Sequence, residues 1–167
     1  DLDEIPNLEA VKLREMKNKI ICFKQKMFYY KFNLYYDQFK WQGTKGTKFK
    51  NFLSPQWLRN IKGKKYSRWR IDTYFSKKKY CNLGFIKNGG WHFTNIKSPK
   101  DIHYKFSNFL HHLEFQESNI KIEDMENMIN EKKISYDHSS DKKGNKWGAS
   151  ISLKKVNEDY LPDYLNK

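Results

Sequence analysis

Residues 7–19, "NLEAVKLREMKNK", put Leu8, Val11 and Met16 on one apolar side. Asn7 can cap that stretch and Glu9 adds charge to its first turn, so the spacing predicts a helix. The period then changes. "IICFKQKMFYYKFNLYY" is dense in β-branched and aromatic residues and predicts one or two strands, packed as core. "FKWQGTKGTKF" continues as a strand interrupted by glycine turns. "SPQWLRNI", with Ser54 as cap and Pro55 in its first position, predicts a short helix.

Between residues 62 and 80 the apolar period is lost. "KGKKYSRWRIDTYFSKKKY" is basic and aromatic and reads as a loop with a short strand at "RIDTYF". In "LGFIKNGGWHFTNI", Asn88-Gly89 between two apolar runs is a hairpin signal. "SPKDIHYKFSNFLHHLEF" predicts a helix with Ser98 as cap, Pro99 in its first turn, and Ile102, Phe106, Phe109 and Leu110 at helical spacing. "NIKIEDMENMINEKK" predicts a second, more acidic helix, "GASISLKKV" a late strand and "LPDYL" a short terminal helix. Helices and strands interleave, which implies an α/β class with a mixed sheet flanked by helices. A chain of 167 residues is long enough for a single domain with a real core.

Composition sharpens this picture in two places. Aromatic residues are 17% of the chain against 38% apolar overall, so large rings can build a core that the polar average would not suggest. Lys and Arg number 33 against 19 acidic residues, a formal charge of +14, which attracts polyanions. The same richness in Lys, Asn, Ile, Tyr and Phe also follows from an AT-rich coding genome. Two cysteines, Cys22 and Cys81, make no disulfide framework and no zinc spacing, and two separate thiols are expected. With no Asn-x-Ser/Thr sequon, no signal-peptide pattern and no apolar run of membrane-span length, a cytoplasmic setting is favoured over a lumenal one.

The acidic opening, "DLDEIP", stands against this basic background. An Asp-x-Asp on a turn gathers two carboxylates near one point, and hard cations such as Mn²⁺ or Mg²⁺ prefer oxygen ligands. Asp1 and Asp3 are therefore candidate metal ligands with Glu4 as neighbour; a solvated acidic segment is the plain alternative. A partly desolvated Asp or Glu can also serve as a general base near neutral pH. Glu114 in "HHLEF" is the first candidate, with His112 beside it as a substrate contact, and Asp72 in "RIDTY" is the second. His92 in "GGWHF" could bind metal or diphosphate, or simply pack in a strand. Trp91 could stack on a sugar face or belong to the core. Arg59 could bind phosphate or pair on a helix surface.

Taken in order, "DLDEIP", "SPQWLRNI", "GGWHFTNI…DIHYKFSNFLHHLEF" and "LPDYL" closely resemble glycosyltransferase family seventeen, the N-acetylglucosaminyltransferase III-like enzymes. The resemblance spans nearly the whole chain, and the "DLDEIP" and "GGWHF" stretches are its most specific parts. Residues 63–79 match little of it. The resemblance implies a GT-A-like fold and inverting transfer of N-acetylglucosamine from UDP-N-acetylglucosamine to a glycan or glycoprotein acceptor. It implies that Asp1 and Asp3 bind Mn²⁺ and the donor diphosphate. It also implies that the βα units that hold the uridine lie upstream, so the chain is expected to be the later part of such a catalytic domain.

A basic nucleic-acid-binding module is the competing expectation. "KGKKYSRWR" and "KFKNF" interleave cations with rings, as a groove tracking phosphates and stacking bases would. No named nucleic-acid motif is present. The two expectations differ in their requirement for Asp1, Asp3 and a divalent ion.

Overall fold

The computed structural model describes residues 2–109, 112–138 and 146–165. The chain forms two compact units, one of residues 1–26 with 40–92, the other of residues 27–39 with 93–167. Both draw on a mixed sheet, and the architecture is mixed α/β.

In chain order, the first elements are β1 (Glu4–Pro6), β2 (Ile20–Tyr29), β3 (Leu34–Thr47), α1 (Pro55–Asn60), α2 (Asp72–Phe75), β4 (Leu83–Ile86) and β5 (Gly90–Thr94). Then follow α3 (Pro99–Ser107), α4 (His112–Glu117), α5 (Ile122–Asn130), β6 (Lys133–Ile134), β7 (Ile151–Ser152) and β8 (Lys154–Lys155). The sheet order is β1-β5-β2-β3-β8, with β4 also on β2. β1 runs antiparallel to β5, β4 parallel to β2, and β8 antiparallel to β3, so the sheet is mixed. β6 and β7 form a separate antiparallel pair.

β2 is buried along nearly its whole length, as expected for a strand covered on both faces. β3 begins buried and then alternates, leaving Gln38, Lys40 and Gln42 exposed while Phe39 and Trp41 stay half-buried. That period of two sets which side chains can reach a site. In the first unit Ile20, Cys22, Trp57, Ile61 and Leu83 form the core, and the Trp57 indole N–H donates to the Lys77 carbonyl at 2.9 Å. In the second, Phe106, Phe115, Tyr136 and Trp147 make an aromatic cluster, with ring centroids 4.8 Å apart for Phe106–Trp147 and Phe115–Trp147. Cys22 is buried and Cys81 half-buried, both as free thiols.

The capped helices form where the sequence marks them. Ser54 accepts from the Trp57 N–H at 3.1 Å, and Ser98 accepts from the Asp101 N–H at 3.2 Å. α3 stops at Ser107 instead of running on to Phe115. The Ser107 hydroxyl donates to the His103 carbonyl and the Asn108 amide to the Tyr104 carbonyl, both back-bonds that compete with further helix. Leu110 and His111 lie outside the described residues.

Other expectations change as well, beginning with β3, which runs unbroken through Gly43 and Gly46 where glycine turns were expected. Residues 7–19 form two 3₁₀ turns, Leu8–Ala10 and Leu13–Glu15, not an α-helix. Asn7 accepts from the Glu9 N–H two residues on, a local bond that favours a turn, and Leu8 and Leu13 remain exposed with no face to bury. "RIDTYF" is the short helix α2 rather than a strand, held where the Thr73 hydroxyl donates to the Arg70 carbonyl at 2.7 Å. Asn88-Gly89 does not reverse the chain. β4 lies parallel to β2 from Ile20↔Leu83 to Phe23↔Ile86, the Gly89 N–H then donates to the Lys24 carbonyl, and the Tyr30 N–H to the Thr94 carbonyl. Residues 83–94 therefore follow β2 in one direction, with a jog where a hairpin was expected.

Candidate functional site

The site is built on β1. Its register pairs Glu4 with His92, Ile5 with Trp91 and Pro6 with Gly90. The close approach at Gly90 makes this register possible. Gly90 has φ +114°, and a β-carbon there would lie 2.0 Å from the Ile5 carbonyl oxygen. Only glycine fits, so the second glycine of "NGG" seats the acidic segment against β5.

Directly paired residues share a face of the sheet, so Glu4 and His92 point the same way. Trp41 of β3 joins them. Its indole stacks on the His92 imidazole, with centroids 4.5 Å apart and planes 17° apart, and its Nε1–H donates to Glu4 Oε1 at 2.8 Å. The Thr44 hydroxyl donates to Glu4 Oε2 at 3.4 Å. Behind Thr44, the fully buried Gln25 donates to its hydroxyl at 3.3 Å and accepts from its N–H at 3.4 Å. The Glu4 carboxylate is thus fixed in direction by two donors, one of them braced by the core.

Glu4 and Trp41 line a pocket of about 610 Å³ together with Lys45, Arg59, Phe52 and Leu58. Lys45 Nζ donates to the Arg59 carbonyl at 2.7 Å, which ties β3 to α1. Burial pulls the Lys45 ammonium below the usual lysine range, while the charge of Glu4 works in the opposite direction. Burial likewise pushes the Cys22 thiol up, with Lys45 opposing. The pocket therefore combines one oriented carboxylate, two cationic side chains and an indole.

The expected site residues fall into separate groups. Arg59 lines this pocket, and His92 backs the Trp41 ring with only 5% of its surface exposed. Trp91 is the next position on β5, and the alternation of the strand turns it to the opposite face from Glu4. Asp3 is half-buried just ahead of β1; Asp1 lies outside the described residues. Among the described residues, no group of three or more His, Cys, Asp or Glu side chains gathers to hold a metal.

His112 and Glu114 belong to the second unit, on α4. His112 Nδ1 lies 3.0 Å from the Phe109 carbonyl, and Glu114 is half-buried beside the fully packed Phe115. Burial first, and then the charge of Glu114, pushes the Tyr136 phenol up. Asp72, the second candidate base, is spoken for. Arg70 grips both of its oxygens at 2.9 and 2.8 Å, Lys79 adds a third contact at 2.7 Å, and its carboxyl is pushed down to about 2. A carboxylate that acidic is a poor base near neutral pH.

Trp41, Thr44 and Lys45 were not anticipated. Their signal is the alternation in "FKWQGTK", which sends Trp41 inward, but nothing local ties that ring to Glu4, far earlier in the chain. Comparison with family models, curated proteins and solved structures finds no match for this chain. Among the described residues, no helix is long and apolar enough to cross a membrane.

Proposed function

We propose that this chain carries the site of a GT-A-like, metal-dependent inverting glycosyltransferase. It moves N-acetylglucosamine from UDP-N-acetylglucosamine to a glycan acceptor. One observation carries the reading: the acidic opening ends in an oriented carboxylate, Glu4, lining a pocket that also holds Lys45, Arg59 and Trp41.

Each part matches a need of the reaction. A diphosphate is recognised by cations, which Lys45 and Arg59 supply. A sugar ring lays its C–H face on an indole, and Trp41 is held flat by His92 behind it. Asp3, together with Asp1, offers the hard oxygen donors that suit Mn²⁺ or Mg²⁺. Such an ion would neutralise charge on the departing diphosphate. The acceptor oxygen bonds to the anomeric carbon from the face opposite the diphosphate, the carbon–diphosphate bond breaks, and a general base takes the acceptor's proton.

Calorimetric titration with UDP-N-acetylglucosamine, with and without Mn²⁺, tests the reading. Binding is expected to require both Mn²⁺ and Asp3, and Arg59→Ala is expected to weaken it about tenfold. Binding that is indifferent to Mn²⁺ and to Asp3→Ala, or no binding at all, would overturn it.

A further inference from the structure

Residues 62–79, between α1 and β4, carry chemistry that the pocket does not use. They hold eight lysines and arginines and a single acidic residue, Asp72, which is half of the chain's formal +14. That acid is already neutralised by Arg70 and Lys79. The side chains of Lys62, Lys64, Lys65, Arg68, Lys77 and Lys78 remain exposed.

The same segment turns its large apolar side chains outward. Trp69 is 93% exposed, Phe75 86%, and Ile71 and Tyr74 73% each. Ile71 has helical backbone angles at the head of α2, so Ile71 and Phe75, four positions apart, share one side of that turn. This exposure is not that of a loose loop. The Arg70 guanidinium and the Lys79 ammonium lie over the Tyr66 ring, at 5.4 and 5.9 Å. The Thr73 hydroxyl donates to the Arg70 carbonyl, and the Tyr74 hydroxyl donates to the Arg68 carbonyl. Local bonds hold the segment in a shape that presents Trp69, Ile71 and Phe75 to the outside.

We propose that residues 62–79 are a docking surface for an anionic lipid membrane, with Trp69, Ile71 and Phe75 entering the headgroup region and the surrounding lysines and arginines meeting acidic lipids. Exposed rings and an aliphatic side chain ringed by cations are the combination by which peripheral proteins lie on such surfaces. Indole and phenyl groups settle at the depth of the headgroups, where one side is apolar and the other wet. A single-stranded nucleic acid would also meet the cations and stack on the rings. It gives no reason for Ile71, which cannot stack, to stand beside Phe75 on the outer side of α2. The lipid surface accounts for both.

Sedimentation with vesicles of phosphatidylcholine containing roughly 30 mol % phosphatidylserine tests this, beside vesicles of phosphatidylcholine alone. The chain is expected to sediment with the acidic vesicles and far less with the neutral ones. Trp69→Ser with Phe75→Ser should lower partitioning about tenfold or more. Lys77→Glu with Lys78→Glu should lower it at least as far, since each cation near an acidic surface contributes about fivefold. All four side chains are exposed, so far-ultraviolet circular dichroism of both variants should match the parent chain. No partitioning onto acidic vesicles would overturn the proposal. So would partitioning that the aromatic pair does not affect, which would be charge attraction alone. Tight binding of a single-stranded oligonucleotide that needs Trp69 and Phe75 and displaces the vesicles would reassign the surface to nucleic acid.

Discussion

Trp41 and Trp69 belong to the same compact unit and meet opposite fates. Trp41 has the His92 ring against one face and the Glu4 carboxylate at its N–H. Trp69 stands 93% exposed. The residues around Trp41 come from positions 4, 25, 44 and 92, brought together only by the sheet. The residues around Trp69 are tied by Arg70, Asp72, Tyr66 and Lys79, all within a short stretch of chain. One region is held by the whole fold and the other by itself. In a chain this rich in rings, aromatic content alone does not separate core from surface. What separates them is whether a polar partner and a paired strand await the ring.

The largest break in this comparison should come from Gly90→Ala. The new methyl group would meet the Ile5 carbonyl at 2.0 Å and the Asn7 nitrogen at 2.6 Å, both backbone atoms, at a φ of +114°. β1 cannot keep its register with β5, and a loss of about 3 kcal/mol or more is expected. Urea denaturation should show the midpoint falling. Mn²⁺-dependent donor binding should vanish with it, because Glu4 leaves the pocket. The Trp69 region makes no use of this register, so binding to acidic vesicles should persist under conditions where the variant is folded. A variant as stable as the parent chain would mean that β1 is not seated as described.

Replacing the two indoles measures the difference directly. Trp41→Phe keeps the stacking on His92 and removes the donor to Glu4, leaving a half-buried carboxylate short of one bond. A hydrogen bond to a charged group contributes about 1.5–3 kcal/mol, and a loss of roughly 2 kcal/mol is expected. Trp69→Phe should fall within about 0.5 kcal/mol of the parent, as surface substitutions do. Equal losses from the two variants, read from paired denaturation curves, would erase the distinction between the regions.

The two regions also differ in how far the sequence reveals them. Ser54-Pro55 and Ser98-Pro99 mark helix starts through bonds that span three residues, and both helices start as read, although the second stops at Ser107. The long apolar and aromatic run from Ile20 onward becomes β2 and β3 because its composition suits a strand buried on both faces. The stretch after Asn7 misleads because its apolar spacing has nothing to pack on, and spacing without a partner surface does not make a helix. "RIDTYF" misleads in the same way: its β-branched and aromatic residues find no neighbouring strand, and the Arg70–Asp72 pair closes a turn instead. In the site, Arg59, His92 and the acidic opening are visible in the sequence, whereas Trp41 and Thr44 are not. Their link to Glu4 spans 37 and 40 residues and exists only after β1, β5 and β3 have found their order.

The smallest effect belongs to the self-held region, and its sign follows from Asp72. Arg70 first and Lys79 second depress its carboxyl from the ordinary aspartate range to about 2. A carboxyl whose folded value is depressed favours the folded arrangement at every pH above its unfolded value. It loses that contribution as pH falls through the folded one. The Asp72 brace should therefore be whole at neutral pH, begin to weaken below about 4, and open near 2. Because the three side chains are solvent-facing, salt should weaken the brace while leaving the denaturation midpoint almost unmoved. A carbon-detected carboxyl titration by nuclear magnetic resonance reads Asp72 alone. A midpoint near 2 at low salt, drifting upward as salt is added, fits a segment that holds its own shape by charge. A midpoint at the ordinary aspartate value would mean that Arg70 and Lys79 do not grip it, and the outward presentation of Trp69 and Phe75 would then need another cause.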